Sequence, residues 1–250
     1  MPIVDTIAHL TARDCPVFDI FLFFEKIMPM LCDEYHSDLL AGWWFAGLTE
    51  GLRQALLGHL RVKRLTQGEH IYEVGGPPNG LHCVLDGEVR LFAYPRSSRP
   101  FITRILRQGD WFGSLSTCDM GPQPNDAVAF ETVTIASLSV SDIDAIAIDH
   151  PAIWRQIALM NGREHRFSAE FVMAMMGQSM SDRLSVLLKL GSIVEDDGVR
   201  VIKITQEDLA AVAGFSRQRI NALLQKLEKE GRIERGYGSI RILDESLIAP

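Results

Sequence analysis

The chain has 250 residues, of which 47% are hydrophobic, and its formal net charge is −7. This length allows one large or two modest domains, and the absence of any run of about 18 apolar residues predicts no membrane span. The acidic sum would argue against a nucleic-acid partner, but residues 200–241 hold nine Lys or Arg against five Asp or Glu. Such a basic segment attracts phosphates, while an acidic remainder limits non-specific binding.

The first 48 residues predict a helical extension. Segments 14–31 and 37–48 are rich in apolar side chains, and we expect them to pack on the next domain or on a partner subunit. Residues 18–24 lack the basic start and the small-residue cleavage site of a signal peptide, so a cytoplasmic protein is expected. The wide spacing of the cysteines predicts neither a zinc site nor a disulfide framework: they are Cys15, Cys32, Cys83 and Cys118.

Residues 49–150 predict a small β-structure. A short leading helix over 49–60 precedes brief alternating strands, and glycines stand at the corners between them: Gly68, Gly75, Gly87 and Gly109. This pattern is typical of a small barrel or jelly roll. His70 and His82 fall in this region and His165 follows it. Single histidines in such elements usually form hydrogen bonds, so no metal or haem site is predicted.

A long helix is predicted after the β-structure. Ser141 and Asp144 have the spacing of a capping box, which predicts a short helix that ends before Pro151. Pro151 suits the first turn of the next helix, which would run for about 26 residues and about 39 Å. A stripe along this helix is spaced 4-3-4-3-4-3, as in a coiled coil: Ile153, Ile157, Met160, Glu164, Phe167, Phe171 and Ala174.

A stripe of this length is too long for one small domain to bury. We therefore predict that two copies of the chain pair through residues 151–178, with a long intramolecular core helix as the alternative. Residues 177–179 predict a hinge. A further amphipathic helix over 180–194 and a strand over 199–204 then lead into the last segment.

Residues 204–243 predict two short helices joined by a tight turn and followed by a hairpin. Thr205 and Asp208 have capping-box spacing, and the helix they open should run to Ala213. Gly214 can take the positive φ that a sharp turn needs, and Ser216 is a good N-cap for the second helix. Residues 232–235 and 240–243 predict the two strands of a wing around the turn 236–239.

The second of these helices has two different faces. A buried stripe is predicted from Ile220, Leu223, Leu224 and Leu227. The opposite side collects Arg217, Gln218, Asn221 and Gln225. Guanidinium groups pair with guanine and carboxamides with adenine in a DNA major groove, so the pattern favours base recognition. An ordinary helical hairpin with a solvated polar face is the alternative.

This segment closely resembles the DNA-binding domain of the CRP/FNR family of bacterial transcription regulators. The matching string from residue 205 to residue 233 is T-Q-x-D-L-A-x-x-A-G-x-S-R-Q-x-I-N-x-x-L-x-x-L-E-x-x-G-x-I. Upstream, the spacing of Gly68, Glu69, Ile71, Gly75, Val84, Gly87 and Val89 resembles the β-roll of cyclic-nucleotide-binding domains. The resemblance implies a transcription regulator that binds double-stranded DNA as a homodimer on an inverted repeat and contacts RNA polymerase.

The fold implied is α+β, with an N-terminal jelly-roll-like sensor domain, a long dimerisation helix and a C-terminal winged helix-turn-helix. The expected division is a helical extension (1–48), a β-roll (49–150), the dimerisation helix and hinge (151–178) and the winged domain (179–250). Base contacts are expected from Ser216, Arg217, Gln218 and Asn221. Phosphate contacts are expected from Thr205, Gln206 and Arg219.

The sequence departs from cyclic-AMP-binding members of the family at the effector pocket. Ser114 stands where those members have a glutamate for the ribose, and Asn125 and Asp126 stand where they have an arginine and its neighbour. Because the phosphate would lose its cation, we predict no tight binding of cyclic AMP. The candidate pocket comprises Gly113, Ser114, Leu115, Ser116, Asn125, Asp126, Ala127 and Ser168.

No cofactor is assigned from the sequence. In the FNR branch, closely spaced N-terminal cysteines bind an iron–sulfur cluster, whereas Cys15 and Cys32 are isolated here. No enzyme is predicted either, because the chain has no G-x-S-x-G, H-E-x-x-H or P-loop motif. The alternative function is a small-molecule or redox sensor with weak or vestigial DNA binding.

Overall fold

The computed structural model describes residues 35–94, 101–176, 179–194 and 197–248. They form a β-roll with surrounding helices, one long helix and a winged helix-turn-helix, which confirms the predicted α+β fold. The predicted helix over 14–31, the isolated Cys15 and Cys32, and hinge residues 177–178 lie outside the described residues. Within the described part, none of the helices is long and apolar enough to cross a membrane.

The β-roll consists, within the described residues, of two four-stranded antiparallel sheets. Their strands are β1 (Arg61–Leu65), β2 (His70–Tyr72), β3 (Leu81–Asp86), β4 (Val89–Ala93), β5 (Phe101–Leu106), β6 (Trp111–Phe112), β7 (Asp126–Ala129) and β8 (Val133–Leu138). One sheet has the order β1-β8-β3-β6 and the other β2-β7-β4-β5. Apolar residues of both sheets, such as Val84 and Leu106, form a shared core, and Cys83 is buried.

Short helices cover this roll. They are α1 (His36–Ala41), α2 (Trp43–Ala46), α3 (Glu50–Leu57), α4 (Ser114–Asp119) and α5 (Val140–Asp149). The helix predicted over 37–48 is broken at Gly42, where an added Cβ would lie 2.0 Å from the carbonyl oxygen of Gly109. Beyond this close approach, Trp44 packs on Trp111 with ring centroids 4.7 Å apart, so this part of the extension packs on the next domain, as expected.

The predicted capping box at Ser141 and Asp144 is wrong by two residues. The N-cap of α5 is Ser139, whose hydroxyl accepts the backbone N–H of Asp142 while the Asp142 side chain accepts from the Ser139 backbone. Both pairs have the same spacing in the sequence. The extended backbone of Ser139 decides between them, because an N-cap residue must lie outside the helix.

The long helix, α6 (Ala152–Met176), has 25 residues and is about 37 Å long. The seam predicted for a partner subunit is wrong in its position. Ile153, Ile157 and Met160 are buried against the β-roll and α2, and Phe171 packs on the winged domain. A 3-4 spacing marks one face of a helix but not what covers it, and here the chain's own domains cover that face.

A different face of α6 is exposed. Its residues follow the spacing 3-4-3-4-3 and are called here the outer stripe: Leu159, Gly162, Arg166, Ala169, Met173 and Met176. Met173 is 65% exposed and Met176 80% exposed, which is unusual for large apolar side chains in a folded protein. The outer stripe is therefore the part of α6 that is available to a second copy.

The winged domain follows α6. Its elements are α7 (Met180–Gly191), β9 (Ile193–Val194), β10 (Arg200–Ile202), α8 (Gln206–Ala213), α9 (Arg217–Lys229), β11 (Ile233–Gly236), β12 (Ser239–Ile242) and a 3-10 turn (Glu245–Leu247). The strands form the order β11-β12-β10-β9. The predicted helix over 180–194 ends early, because its last two residues pair with β10 as a strand. The predicted wing is confirmed within one residue at each strand.

A buried ion pair joins the winged domain to the β-roll. The Arg90 guanidinium on β4 donates from Nη1 to Asp208 Oδ1 at 2.7 Å and from Nη2 to Asp208 Oδ2 at 3.0 Å. Its Nε donates to Glu88 at 2.7 Å, and its flat face lies 3.2 Å from the ring centroid of Phe130. Bidentate contacts of this kind are among the stronger ones, so α8 is fixed firmly on β4.

We expect this ion pair to contribute measurably to stability. Arg90→Met leaves the carboxylate of Asp208 without its main cation and should lower the free energy of unfolding by about 3 kcal/mol. A double-mutant cycle with Asp208→Asn, followed by urea denaturation, should give a coupling energy of at least about 1.5 kcal/mol. Additive single and double variants would contradict the assignment. Arg53→Met, which breaks the more exposed pair with Glu50, is the control and should cost under about 1 kcal/mol.

His82 is buried in the first sheet. Its Nδ1 lies 2.8 Å from Ser137 Oγ and its Nε2 lies 3.1 Å from Asn79 Oδ1. Burial lowers the pKa of His82 from 6.5 to about 4, so the ring is neutral at physiological pH and acts as a hydrogen-bonded part of the core.

This lowered pKa predicts a pH dependence of folding. The unfolded chain takes up the His82 proton near pH 6.5, whereas the folded chain resists it until about pH 4. The stability contributed by the neutral ring is therefore complete above pH 6.5 and falls by about 3 kcal/mol on acidification to pH 4. His82→Gln should remove this part of the slope in denaturation curves recorded between pH 4 and pH 7. An unchanged slope in the variant would show that His82 is not its source.

Candidate DNA-reading face and effector cavity

The helix α9 is positioned by its cap and by its buried side. Ser216 stands in extended conformation, and its hydroxyl accepts the backbone N–H of Arg219 at 3.3 Å. Gly214, with a φ of +70°, makes the turn from α8. Three apolar residues one turn apart are fully packed into the core of the winged domain: Ile220, Leu224 and Leu227. The opposite side of α9 must therefore face outward.

Arg217, Gln218 and Arg219 are exposed at the start of that outward side. Within the described part of the chain, no side chain forms a hydrogen bond or ion pair with Arg217 or Gln218. The guanidinium of Arg219 lies 5.1 Å from the ring of Phe215, which restricts it while leaving its N–H groups accessible. These groups can donate to base edges or phosphates of a duplex.

Two of the predicted contact residues already have partners in the chain. The side-chain oxygen of Asn221 accepts from Nη1 of Arg235, on β11, at 3.0 Å, so only its amide N–H₂ is available to a base. The hydroxyl of Thr205 accepts the N–H of Asp208 and donates to the Asp208 carboxylate at 2.8 Å. Gln206 opens α8 beside it and is half-buried. Sequence reasoning missed Arg235, because no local pattern joins it to α9.

A cavity of about 550 Å³ lies between the β-roll and α6. Six residues of the predicted pocket line it: Gly113, Ser114, Leu115, Ser116, Asn125 and Ser168. Asp126 and Ala127 do not, which corrects that part of the prediction. The Asp126 carboxylate instead accepts the N–H of Val74 at 2.6 Å and the hydroxyl of Tyr94, and Ala127 is packed in the core of the roll.

One ion pair lies in the wall of this cavity. Arg104, on β5, contacts Glu164, on α6, and its guanidinium lies 5.5 Å from the ring of Phe167. Arg104 is the one Lys or Arg in the cavity lining within the described residues. No local pattern in the sequence joins these two residues, and Glu164 belongs to the stripe predicted as a subunit seam.

The polar groups at the inner end of the cavity are largely bonded to one another. Ser116 Oγ donates to Gln123 Oε1 at 3.1 Å, and Gln123 Nε2 donates to Asn79 Oδ1 at 3.0 Å. Asn125 Oδ1, by contrast, is buried and has no hydrogen-bond partner among the described residues. Burial raises the pKa of the Tyr72 hydroxyl above its ordinary value, so that side chain is neutral. Trp111 Nε1, which also lines the cavity, is likewise buried without a partner among the described residues, so the cavity offers a ligand one such acceptor and one such donor.

Models of known protein families match two parts of this chain, the β-roll and the winged domain. The model of the cyclic nucleotide-binding domain matches residues 62–150, and that of the Crp-like helix-turn-helix domain matches residues 184–248. A protein named cyclic AMP receptor protein, from Thermus thermophilus, is 26% identical over 205 residues, covering 82% of this chain and 94% of the relative. A CRP-like cAMP-activated global transcriptional regulator from Mycobacterium tuberculosis is 24% identical with the same coverage.

Among solved structures, FixK2 from Bradyrhizobium japonicum is similar in fold. The TM-score is 0.64 at 18% identity, and the match covers 75% of this chain and 95% of that one. A similar fold match, with a TM-score of 0.62 at 16% identity, is found for CLP from Xanthomonas campestris, covering 78% and 99% of the two chains.

The exposed polar side of α9, which begins with Arg217, Gln218 and Arg219 and is called here the reading face, can be tested by mutation. Arg217→Ala should weaken binding to a specific duplex by about 1–3 kcal/mol and relax the preference at one base pair, because a guanidinium reads a base edge there. Fluorescence anisotropy with the selected duplex and with a scrambled one measures both effects. Arg61→Ala, on the far β1 strand, is the control and should bind as the unaltered protein does. An Arg217→Ala variant with unchanged affinity for both duplexes would show that the face is wrongly assigned.

Proposed function

We propose that this chain, which belongs to the CRP/FNR family of transcription regulators, acts in the cytoplasm as a homodimer on an inverted-repeat operator. Regulators of this family bind DNA as dimers and contact RNA polymerase. The observation that carries the proposal is the exposed polar face of α9, whose apolar back is packed in the core. A helix supported in this way can enter a major groove without disturbing its own domain.

The two copies pair, in this proposal, through the outer stripe of α6. Apart from Arg166 the row consists of small and apolar residues such as Ala169 and Met173, which allow two such helices to approach closely, and burying the row removes large exposed apolar side chains from water. Pairing about a two-fold axis parallel to α6 would leave the two α9 helices at the same end of the dimer. Two half-sites about one DNA turn apart, roughly 34 Å, would then be contacted together.

Base contacts come in this proposal from Ser216, Arg217, Gln218 and the amide N–H₂ of Asn221. Arg235 supports them by holding the side-chain oxygen of Asn221 from the wing. Phosphate contacts come from Arg219, Gln206 and the region around the capped Thr205, since the N-terminal end of a helix attracts anions.

The effector of this protein is proposed to be something other than cyclic AMP. A relative is named for that nucleotide, but here Asn125 stands where the family's phosphate-binding arginine is expected. A ligand in the cavity would act by preferring one arrangement of the β-roll and α6 over another. Such a preference could change the separation of the two α9 helices.

The dimer proposal is tested by a charge on the outer stripe. Met173→Glu places two like charges at a two-fold contact, and we expect it to weaken self-association by about 100-fold and to reduce operator binding with it. Sedimentation equilibrium measures the association. Ile148→Glu, at an 81% exposed apolar position on α5, is the matched control and should leave the dimer intact. Unaltered association of Met173→Glu, or a monomeric parent protein at micromolar concentration, would contradict the proposal.

A further inference from the structure

We propose that the cavity between the β-roll and α6 binds a small amphiphilic carboxylic acid, whose carboxylate replaces Glu164 as the partner of Arg104. The ligand class meant is an apolar aliphatic or aryl body that carries one acidic group. This inference rests on the proposed function in one respect, because it treats the cavity as the effector site.

The side chains in the walls of the cavity favour an apolar body for the ligand. The walls are mostly apolar, with side chains from both sheets, from α4 and from α6: Tyr72, Leu91, Phe112, Leu115, Phe167, Phe171 and Val172. A volume of about 550 Å³ lies in the range of small-molecule sites. An apolar body is favoured in such a space because it releases water from these side chains, whereas a sugar or purine would need hydrogen-bond partners.

Those partners are scarce. Ser116 and Gln123 bond to each other, and Gln123 also bonds to Asn79. The unpartnered oxygen of Asn125 can accept one hydrogen bond and the unpartnered Nε1–H of Trp111 can donate one, so together they satisfy two polar atoms of a ligand. A nucleotide with a ribose and a base would leave several polar atoms desolvated, and this cost opposes its binding.

The Arg104–Glu164 ion pair indicates that the headgroup of the ligand is a carboxylate. Arg104 is 24% exposed and Glu164 is 35% exposed, so the pair is partly solvated and its loss costs little. Glu164 can turn from the cavity edge into water, where its charge is fully hydrated. The guanidinium then remains on the ring of Phe167, facing the cavity, and its planar N–H groups match a carboxylate.

The exchange also links the ligand to the rest of the molecule. Arg104 lies on β5 and Glu164 on α6, so replacing one partner removes a contact between the roll and the dimerisation helix. Three residues after Arg104, Arg107 donates to the backbone oxygen of Lys203 at 2.6 Å, at the edge of the winged domain. The ligand thus acts on the two elements that position the DNA-reading helices.

Calorimetric titration of the full-length protein tests the ligand class with matched probes. Octanoate and 4-phenylbutanoate are compared with octan-1-ol and 4-phenylbutan-1-ol, which keep the apolar bodies and lack the charge, and with cyclic AMP. We expect at least one acid to bind ten times more tightly than its alcohol, and cyclic AMP to bind no better than the alcohols. If each acid and its alcohol bind alike, or if cyclic AMP binds at micromolar concentration, the proposal is overturned.

Two variants test the exchange itself. Arg104→Met should reduce the affinity for the acid to that for the alcohol, and Glu164→Gln should raise it several-fold because the competing carboxylate is gone. Arg163→Met, on the same helix but outside the cavity lining, is the control and should change neither. An unchanged affinity in Glu164→Gln would contradict the exchange even if Arg104→Met folds poorly.

Operator binding measured on the same samples separates this inference from the proposed function. Intact operator binding with no acid bound would refute the ligand class alone. A protein that binds the acid but no operator would refute the regulator assignment while leaving the ligand class standing.

Discussion

The structure depends on one packing constraint in the winged domain. Ile220, Leu224 and Leu227 leave α9 only one way to lie on α8 and the wing, and each is buried at that contact. Gln218 lies on the side of α9 opposite these residues and Arg217 is the first residue of the helix, so both are exposed to solvent. The apolar back of the helix therefore determines the polar chemistry of its front, and the cap at Ser216 fixes where that front begins.

The long helix α6 connects this reading face to the remainder of the chain through three successive contacts. Its first turns pack on the β-roll and the extension, its middle pairs with β5 through Glu164 and Arg104, and Phe171 near its end packs on the winged domain. The winged domain is held on the roll independently, by Arg90 and Asp208. A change in the cavity wall thus reaches α6 directly and the winged domain by a separate route through β4 and β5.

Local chemistry in the sequence predicted the winged domain closely. Thr205 and Ser216 cap the helices as expected, Gly214 takes the positive φ, and the wing pairs in the expected register. These features depend on a few neighbouring residues, so a pattern within one window determines them. The choice of Ser141 over Ser139 as a cap shows the limit, since two windows with equal spacing compete and the fold selects one.

Contacts between distant segments could not be predicted in the same way. Arg90 and Asp208 are 118 residues apart in the chain, and Arg104 gives no local sign that it meets Glu164. The 4-3 stripe of α6 correctly indicated a buried face, but a helical period carries no information about which surface covers it. The family resemblance predicts Asp126 in the pocket from its position in the chain, but its carboxylate bonds to Val74 and Tyr94.

Base recognition by α9 is tested most directly by methylation interference on a duplex that the protein has selected from random DNA. Guanine N7 lies in the major groove, where Arg217 and its neighbours are proposed to bind. Methylation there should block binding at two clusters of bases with two-fold symmetry and centres about one turn apart, roughly 34 Å. A single cluster, or binding blocked by adenine N3 methylation in the minor groove and not by guanine N7 methylation, would contradict the account.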